Sequence, residues 1–253
     1  MTPESRASIA LSIIIPTYNE THRLPPYLQR ISEYCKGRRL SHEILVVDDG
    51  SRDGTVELVE KFRAEHPEVR LLRLLRNTGK GAAVRTGIRE ANGGLRLIAD
   101  ADGAAPIQEF ARLEAAVDAG ADIAIGSRFL GSHDHRFTVR ARWHRSVFGR
   151  WFNLLVQSLG IAGISDTQCG FKLFRDSVAR DLFSVSRVNG YGYDLEILFV
   201  SQRRGYRIAE VPINWTDQPG SKVHVVSDGW RTFKELLAVR RNHARGLYDH
   251  RRT

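Results

Sequence analysis

Short β-branched runs alternate with longer amphipathic stretches through the first half of the chain. The segments "LSIII" (11–15), "EILVV" (43–47), "VRLLRL" (69–74), "LRLIA" (95–99) and "DIAIG" (122–126) are almost continuously apolar. Strands buried on both faces of a parallel sheet have this pattern. Between them, residues 24–36, 54–65, 80–92 and 107–119 carry helical spacing; in the last, Ile107, Phe110, Leu113 and Val117 share one face. Strand, helix, strand at this spacing predicts right-handed βαβ units. The fold class is α/β, with a Rossmann-like, mostly parallel central sheet flanked by helices.

The second half is less regular. Residues 142–160 predict an amphipathic helix carrying Trp143, Val147, Phe148, Trp151, Phe152, Leu155 and Leu159. "DTQCGFKLF" (166–174) reads as a turn into a strand, 193–204 as a helix, and "YRIAEVPINW" (206–215) as a strand interrupted at Pro212. A last helix is expected from about Trp230 to His243. No repeat, low-complexity tract or linker divides the chain. One domain over 1–225 is therefore expected, followed by a basic helical extension over 226–253.

Sheets of this kind bind ligands beyond the carboxyl ends of their strands. The first four strands lead into "PTYNE" (16–20), "DDGSRDGT" (48–55), "RNTGKGAA" (76–83) and "DADGA" (100–104), so four polar segments can converge on one crevice. Asp100 and Asp102 stand out there. Alone they could form a solvated turn; beside three other polar segments they suit a divalent cation, because hard cations take carboxylate and phosphate oxygens. "NTGKG" (77–81) lacks the spacing of a P-loop.

The chain has 253 residues, 42% hydrophobic and 26% charged, which is ordinary for a soluble domain with a large core. No apolar run approaches the length of about 20 residues that a membrane span needs. The first ten residues, "MTPESRASIA", lack the pattern of a secretory signal. Cys35 and Cys169 are the only cysteines, too few for a disulfide framework or a thiolate zinc site. A cytoplasmic location is expected. The net charge of +9 is concentrated in two places. Residues 128–150 hold six arginines against one aspartate, and 231–253 hold seven Lys or Arg against two acids. Such patches suit an anionic partner, whether a nucleic acid, an acidic membrane surface or a phosphorylated substrate, and a solvated Arg-rich face is the plain alternative.

Five of these segments, "SIIIPTYNE", "ILVVDDGSRDGT", "RNTGKGAAVRTGI", "ADADGA" and "IAIGSRF", follow in the order found in family 2 glycosyltransferases of the GT-A fold. "GISDTQCGFKLF", "YDLEILF", "AEVPINW" and "GSKV" resemble dolichyl-phosphate β-glucosyltransferases and their polyprenyl-phosphate relatives. The resemblance covers roughly residues 10 to 242 and implies a nucleotide-sugar donor, a divalent metal (Mg²⁺ or Mn²⁺) and a polyprenyl monophosphate that receives one hexose with inversion. UDP-glucose is the expected donor. GDP-mannose, or a soluble acceptor within the same family, is the alternative. The eukaryotic relatives carry an N-terminal membrane anchor, for which residues 1–10 offer no counterpart. Related mannosyltransferases usually place a Gln two residues beyond the second Asp. Here that residue is Ala104, which leaves a third protein ligand without a candidate.

By the same resemblance, Pro16, Tyr18, Glu20, Val47, Asp49, Lys80, Asp100 and Ala101 face the nucleotide sugar, and Asp100 and Asp102 hold the metal. Asp48 could cap a turn or touch ligand, and Lys80 could reach the nucleotide or simply begin a helix. A polyprenyl monophosphate is already anionic near neutral pH, with a second pKa of about 6. It therefore needs cations to position it more than a base. Arg128, Arg145, Ser221 and Lys222 are the candidates for that phosphate, and Asp102, Arg128, Arg145 and Lys222 for the chemistry. Asp166 and Gln168 are candidates for orienting the acceptor; Asp166 could instead orient an arginine or cap a turn. Arg136, Arg140, Arg142 and Arg150 are expected at the surface, Asp194 and Glu196 in ordinary helical ion pairs or solvated faces. His133, His135 and His144 lack zinc-site spacing. The Trp/Phe/Arg helix over 142–160 could pack in the core or lie on membrane; a lipid acceptor makes it and the basic C-terminus candidates for contact with anionic membrane, placing the protein peripherally at the cytoplasmic face. "DTQCGFKLF" and "GSKV" argue against a nucleotidyltransferase. The localised charge, without a nucleic-acid motif, argues against a nucleic-acid partner.

Overall fold

The computed structural model describes residues 9–140, 156, 160–220 and 225–249. The predicted alternation is present. β1 (Leu11–Thr17), α1 (Leu24–Gly37), β2 (His42–Asp48), α2 (Thr55–Arg63), β3 (Val69–Arg73), α3 (Lys80–Glu90) and β4 (Leu95–Ile98) follow in order. A 3₁₀ turn (Ile107–Glu109) leads into α4 (Phe110–Asp118), then β5 (Ile123–Ser127), α5 (Arg128–Ser132) and β6 (Val139–Arg140). β7 (Lys172–Arg175), α6 (Asp176–Val185), α7 (Tyr193–Arg203), β8 (Ile208–Pro212), β9 (Trp215–Thr216) and α8 (Val225–Ala244) complete the described elements.

Seven strands form one sheet in the order β3-β2-β1-β4-β7-β5-β8. All neighbours are parallel except at β7, which runs antiparallel to both β4 and β5. The strands' alternation sends successive side chains into two layers. Ile14, Leu45 and Val47 enter one core with α3, α6, α7 and α8, while Ile13, Ile15, Ile44 and Val46 enter the other with α1, α2 and α4. The chain winds outward from β1 through β2 to β3, then returns to β4 on β1's other side. That reversal is the switch point where such sheets open a crevice.

Differences from the sequence expectations have local causes. The 107–119 helix is split, because Pro106 is extended (ψ 142) and the chain tightens into a 3₁₀ turn before Phe110. The strand over 206–215 stops at Pro212 as expected, and it resumes as β9 in a separate two-stranded sheet with β6. The last helix begins at Val225, ahead of Trp230, and the expected 225/226 boundary falls in its first turn. Leu236 and Val239 of that helix are fully buried in the main core. The helix expected over 142–160 lies outside the described residues apart from Val156 and Gly160; Val156 is helical and fully buried. Among the described residues, no helix is long and apolar enough to cross a membrane.

Candidate active site

The carboxyl ends of β1 and β2 are laced together by their own loops. Asn19, in the left-handed region at φ 54, donates its N–H to Ser51 Oγ and accepts the Arg52 N–H, each at 2.8 Å. The Glu20 N–H reaches Thr55 Oγ1 at 2.8 Å. Asp48 caps its own turn by accepting the Ser51 N–H at 3.2 Å. Asp49 points its carboxylate across the edge, taking the Thr78 N–H at 2.7 Å and the Gly79 N–H at 2.8 Å. Burial nevertheless raises its pKa, with Asp48 adding to the effect against those two bonds. Asp49 thus braces the loop ahead of α3.

That loop presents Lys80. Gly79 is held at φ 113, and a Cβ there would run into the Asn189 carbonyl, which accepts the N–H groups of Gly81 and Ala82 at the start of α3. The 189–192 loop is itself held from α8, where Glu235 accepts the Gly192 N–H at 2.7 Å. Lys80 Nζ lies 2.5 Å from Asp100 Oδ1. "NTGKG" and "ADADGA" are therefore one electrostatic unit.

Asp100 and Asp102 follow β4 at the switch point, and their surroundings separate them. Burial pushes Asp100 up, but Lys80, Lys172 and Arg128 outweigh it and hold its pKa below the ordinary value. Burial and the Asp100 charge raise Asp102, with only partial relief from the Ala104 N–H, Arg23 and Lys80. Asp102 Oδ1 accepts that N–H at 3.0 Å, and Oδ2 lies 3.8 Å from Arg23 Nη1. Arg23 also pairs with Glu20, its Nε 2.7 Å from Oε2. Its buried Nη1 has no hydrogen-bond acceptor among the described residues. Gly170, in the "QCG" of the β6–β7 connection, lies directly under Asp100: a Cβ there would collide with Oδ2.

β7's reversed direction brings the segment just before it, residues 164–171, to the same edge. Asp166, 8% exposed at its side chain, grips Arg128 after β5: Arg128 Nε and Nη2 donate to its two oxygens at 2.7 Å each, and the Arg128 N–H adds a third bond at 2.9 Å. Glu210 fixes the loop from below, accepting the Asp166 N–H at 2.8 Å and the Ser127 hydroxyl at 2.6 Å. The pairing holds the Asp166 pKa below its ordinary value despite burial and raises that of Arg128. Arg128 also lies 5.4 Å from the Trp215 ring centroid. Beside it, Lys172 is 1% exposed and donates to Asp194 at 2.5 Å and to the Cys169 carbonyl.

The structure brings Glu20, Asp49, Lys80, Asp100, Asp102, Arg128 and Asp166 to one edge. Pro16 and Tyr18 are half-buried at the end of β1, Ala101 is buried between the two aspartates, and Gln168 is half-buried on the loop after Asp166. Val47 differs from expectation: its side chain is fully buried in the core against Gly87 of α3, which leaves only its backbone for a ligand. Arg145, Ser221 and Lys222 lie outside the described residues, as do Arg142, Arg150 and His144. Arg136 pairs with Asp134 on the surface, and Arg140 is exposed. Asp194 does form an ion pair, with Lys172, but it is buried; Glu196 departs from expectation, being buried and accepting the N–H groups of Arg187 and Val188 and the Tyr248 hydroxyl. Sequence reasoning missed Arg23 and Lys172. The signals available were an Arg three residues after Glu20, and a Lys inside the apolar run "CGFKLF".

Among the described residues, no three His, Cys, Asp or Glu side chains gather as a metal cage. Two neighbouring carboxylates do remain, and Ala104, buried beside Asp102, adds no side-chain donor to them. That donor set fits a Mg²⁺-like ion completed by phosphate oxygens and water better than a closed protein cage.

The profile of a family described as "Glycosyl transferase family 2" matches residues 12–183. A dolichyl-phosphate beta-glucosyltransferase of Dictyostelium discoideum is 37% identical over 256 residues, spanning 95% of this chain and 77% of that protein. The Homo sapiens protein of the same name is 34% identical, spanning 94% of this chain and 77% of its own length. Among solved structures, a Mycobacterium tuberculosis glucosyl-3-phosphoglycerate synthase in complex with UDP superposes with a TM-score of 0.69 at 18% identity, covering 92% of this chain and 80% of that one. The mannosyl-3-phosphoglycerate synthase of Rubrobacter xylanophilus gives a TM-score of 0.69 at 20% identity, covering 94% and 76%. With the parallel sheet, its switch-point aspartates and these matches together, the chain belongs to glycosyl transferase family 2 and is a glycosyltransferase of the GT-A fold.

Proposed function

We propose that the protein transfers glucose from UDP-glucose to a polyprenyl or dolichyl monophosphate, with inversion and with a divalent cation, at the cytoplasmic face of a membrane. The observation that carries this reading is how the cleft's carboxylates are used. Asp166 is doubly bonded to Arg128, Asp194 is bound to Lys172, and Glu20 is bound to Arg23. A hydroxyl acceptor needs a group to take its proton. These carboxylates are committed to cations, and the cations suit an acceptor that arrives already ionised. The names of the relatives support the lipid phosphate and the glucose, and neighbouring folds crystallised with Mn²⁺ and UDP-glucose support the donor and the ion. The two buried, unpaired cysteines suit a reducing compartment.

An oxygen of the lipid phosphate attacks the sugar's anomeric carbon from the face opposite the nucleotide. One C–O bond forms, the bond to UDP breaks, and the electron pair leaves on its β-phosphate. No proton need move. Arg128, clamped to Asp166 through Nε and Nη2, keeps Nη1 as a donor for the acceptor phosphate; Lys80 steadies Asp100, and Arg23 Nη1 offers a donor beside Asp102. Asp100 and Asp102 would hold a divalent ion, which would supply charge neutralisation to the departing diphosphate.

The test is transfer of labelled sugar into solvent-extractable lipid, with UDP-glucose and GDP-mannose in parallel and a chelator control. Label from UDP-glucose alone, lost with chelator, supports the reading; label only from GDP-mannose replaces the sugar, and no lipid product from either donor overturns it. Gly170→Ala is expected to displace the Asp100 carboxylate and lower kcat/KM about a hundredfold, as misplacement of about 1 Å can. Thermal unfolding and steady-state kinetics on the same preparation check this. Unchanged kinetics would remove Asp100 from the site.

A further inference from the structure

The outer face of α8 takes no part in the site formed by the described residues. Its inward positions Thr232, Leu236 and Val239 are buried, and Glu235 turns to the 189–192 loop. On the opposite side Trp230, Lys234, Leu237 and Arg241 recur at the four- and three-residue intervals of one helical stripe. Trp230 is 60% exposed and Leu237 45%, two of the four large exposed apolar side chains among the described residues. Phe233 stacks on Trp230 with centroids 5.6 Å apart, and Lys234 Nζ lies 5.4 Å from the indole centroid. Between 230 and 245 the single acid is Glu235. The stripe therefore presents aromatic and aliphatic groups among cations, with no negative charge.

We propose that this face of α8 docks on an anionic lipid bilayer, with Trp230, Phe233 and Leu237 entering the headgroup boundary and Lys234 and Arg241 meeting lipid phosphates. Charge complementarity selects the occupant: an uninterrupted cationic-apolar stripe suits an interfacial helix lying on acidic lipid. Glu235 and the Gly192 N–H join α8 to the loop that caps α3, so the docked helix adjoins the edge where Lys80 and Asp100 lie. The inference deepens the lipid-acceptor reading above, because it names the surface at which such an acceptor is met.

The experiment is cosedimentation of the full chain with phosphatidylcholine vesicles, with and without phosphatidylserine, at low and high salt. The expected result is salt-sensitive binding to the phosphatidylserine vesicles alone. Each surface cation contributes about fivefold to such partitioning, so Lys234→Glu/Arg241→Glu should weaken it at least about twentyfold. Trp230→Ala should weaken it further. Lys61→Glu/Arg63→Glu on α2 makes the same charge change and should leave most binding intact. Circular dichroism establishes that each variant is folded. The proposal is overturned if phosphatidylserine vesicles fail to bind, if the α8 variant binds like the parent, or if the α2 variant loses as much. It is also overturned if the chain self-associates without lipid and the α8 variant abolishes that, since the face would then meet a second copy. Transfer to acceptor dispersed in detergent should survive in the α8 variant. Failure of that assay in the parent protein would strike the lipid-acceptor reading and leave vesicle binding unaffected.

Discussion

Asp102→Asn is expected to lower hexose transfer about a thousandfold, or about 4 kcal/mol of barrier, while leaving the protein folded. The substitution is close to isosteric. Asn Oδ1 can still accept the Ala104 N–H that Asp102 takes at 3.0 Å, so the turn after β4 keeps its cap. What disappears is one of two negative charges set one residue apart, and with it half of the carboxylate pair that fits a hard cation. In the protein alone those charges repel, and among the described residues Asp102 has Arg23, at 3.8 Å, as its ion partner. Thermal stability should therefore hold or rise slightly as activity collapses. Calorimetric titration with UDP, with and without Mn²⁺, separates this from misfolding: the ion should strengthen UDP binding to the parent and do so little in the variant. Full activity in Asp102→Asn would remove the pair from the chemistry.

The Arg128–Asp166 clamp carries the second large effect. Arg128→Ala should cost roughly a hundredfold to a thousandfold in kcat/KM for the lipid phosphate, the range for losing one preorganised charge-stabilising donor. UDP affinity should change little. Arg128→Lys should not restore it, because a lysine ammonium cannot reproduce the planar two-point grip on Asp166. Asp166→Asn keeps Arg128 but loosens its aim, so KM for the acceptor should rise more than kcat falls. That split distinguishes positioning from general loss of structure.

The same pair makes a pH prediction with a definite sign. The folded Asp166 pKa is depressed, so the pair stabilises fully above the ordinary Asp value of about 3.9, and this contribution fades as pH falls below it. Asp166→Asn lacks the contribution at every pH. The gap in urea midpoints between parent and variant should therefore be widest near neutrality and narrow below about pH 4. A constant gap would mean that Asp166 acts through packing alone.

The strand–helix alternation, the two-layer core and the convergence of four polar loops were all readable along the chain, because each rests on local periodicity. Ile13, Ile14 and Ile15 alternate between two cores for the same reason that any strand has two faces. The aspartate pair was legible for a similar reason: a strand's carboxyl end is a place that topology assigns.

The pairing across the cleft was decided only in three dimensions. Nothing in "DTQCGFKLF" says that β7 enters the sheet antiparallel between β4 and β5, yet that insertion brings Asp166 to Arg128 and Gly170 beneath Asp100. Arg128 and Asp166 are 38 residues apart. Lys80 and Asp100 meet because two loops end at one edge of the sheet. Val47 shows the converse, since the family resemblance implied a ligand contact there, whereas the pleat turns its side chain into the core. Asp194 and Glu196 sit on a helix where an ion pair or a solvated face is the ordinary outcome, and only the fold buries them, against Lys172 and Tyr248. Local patterns of hydrophobicity specify elements and the edge at which ligands gather. Which charges neutralise one another depends on contacts between distant segments, and those exist only once the chain has closed on itself.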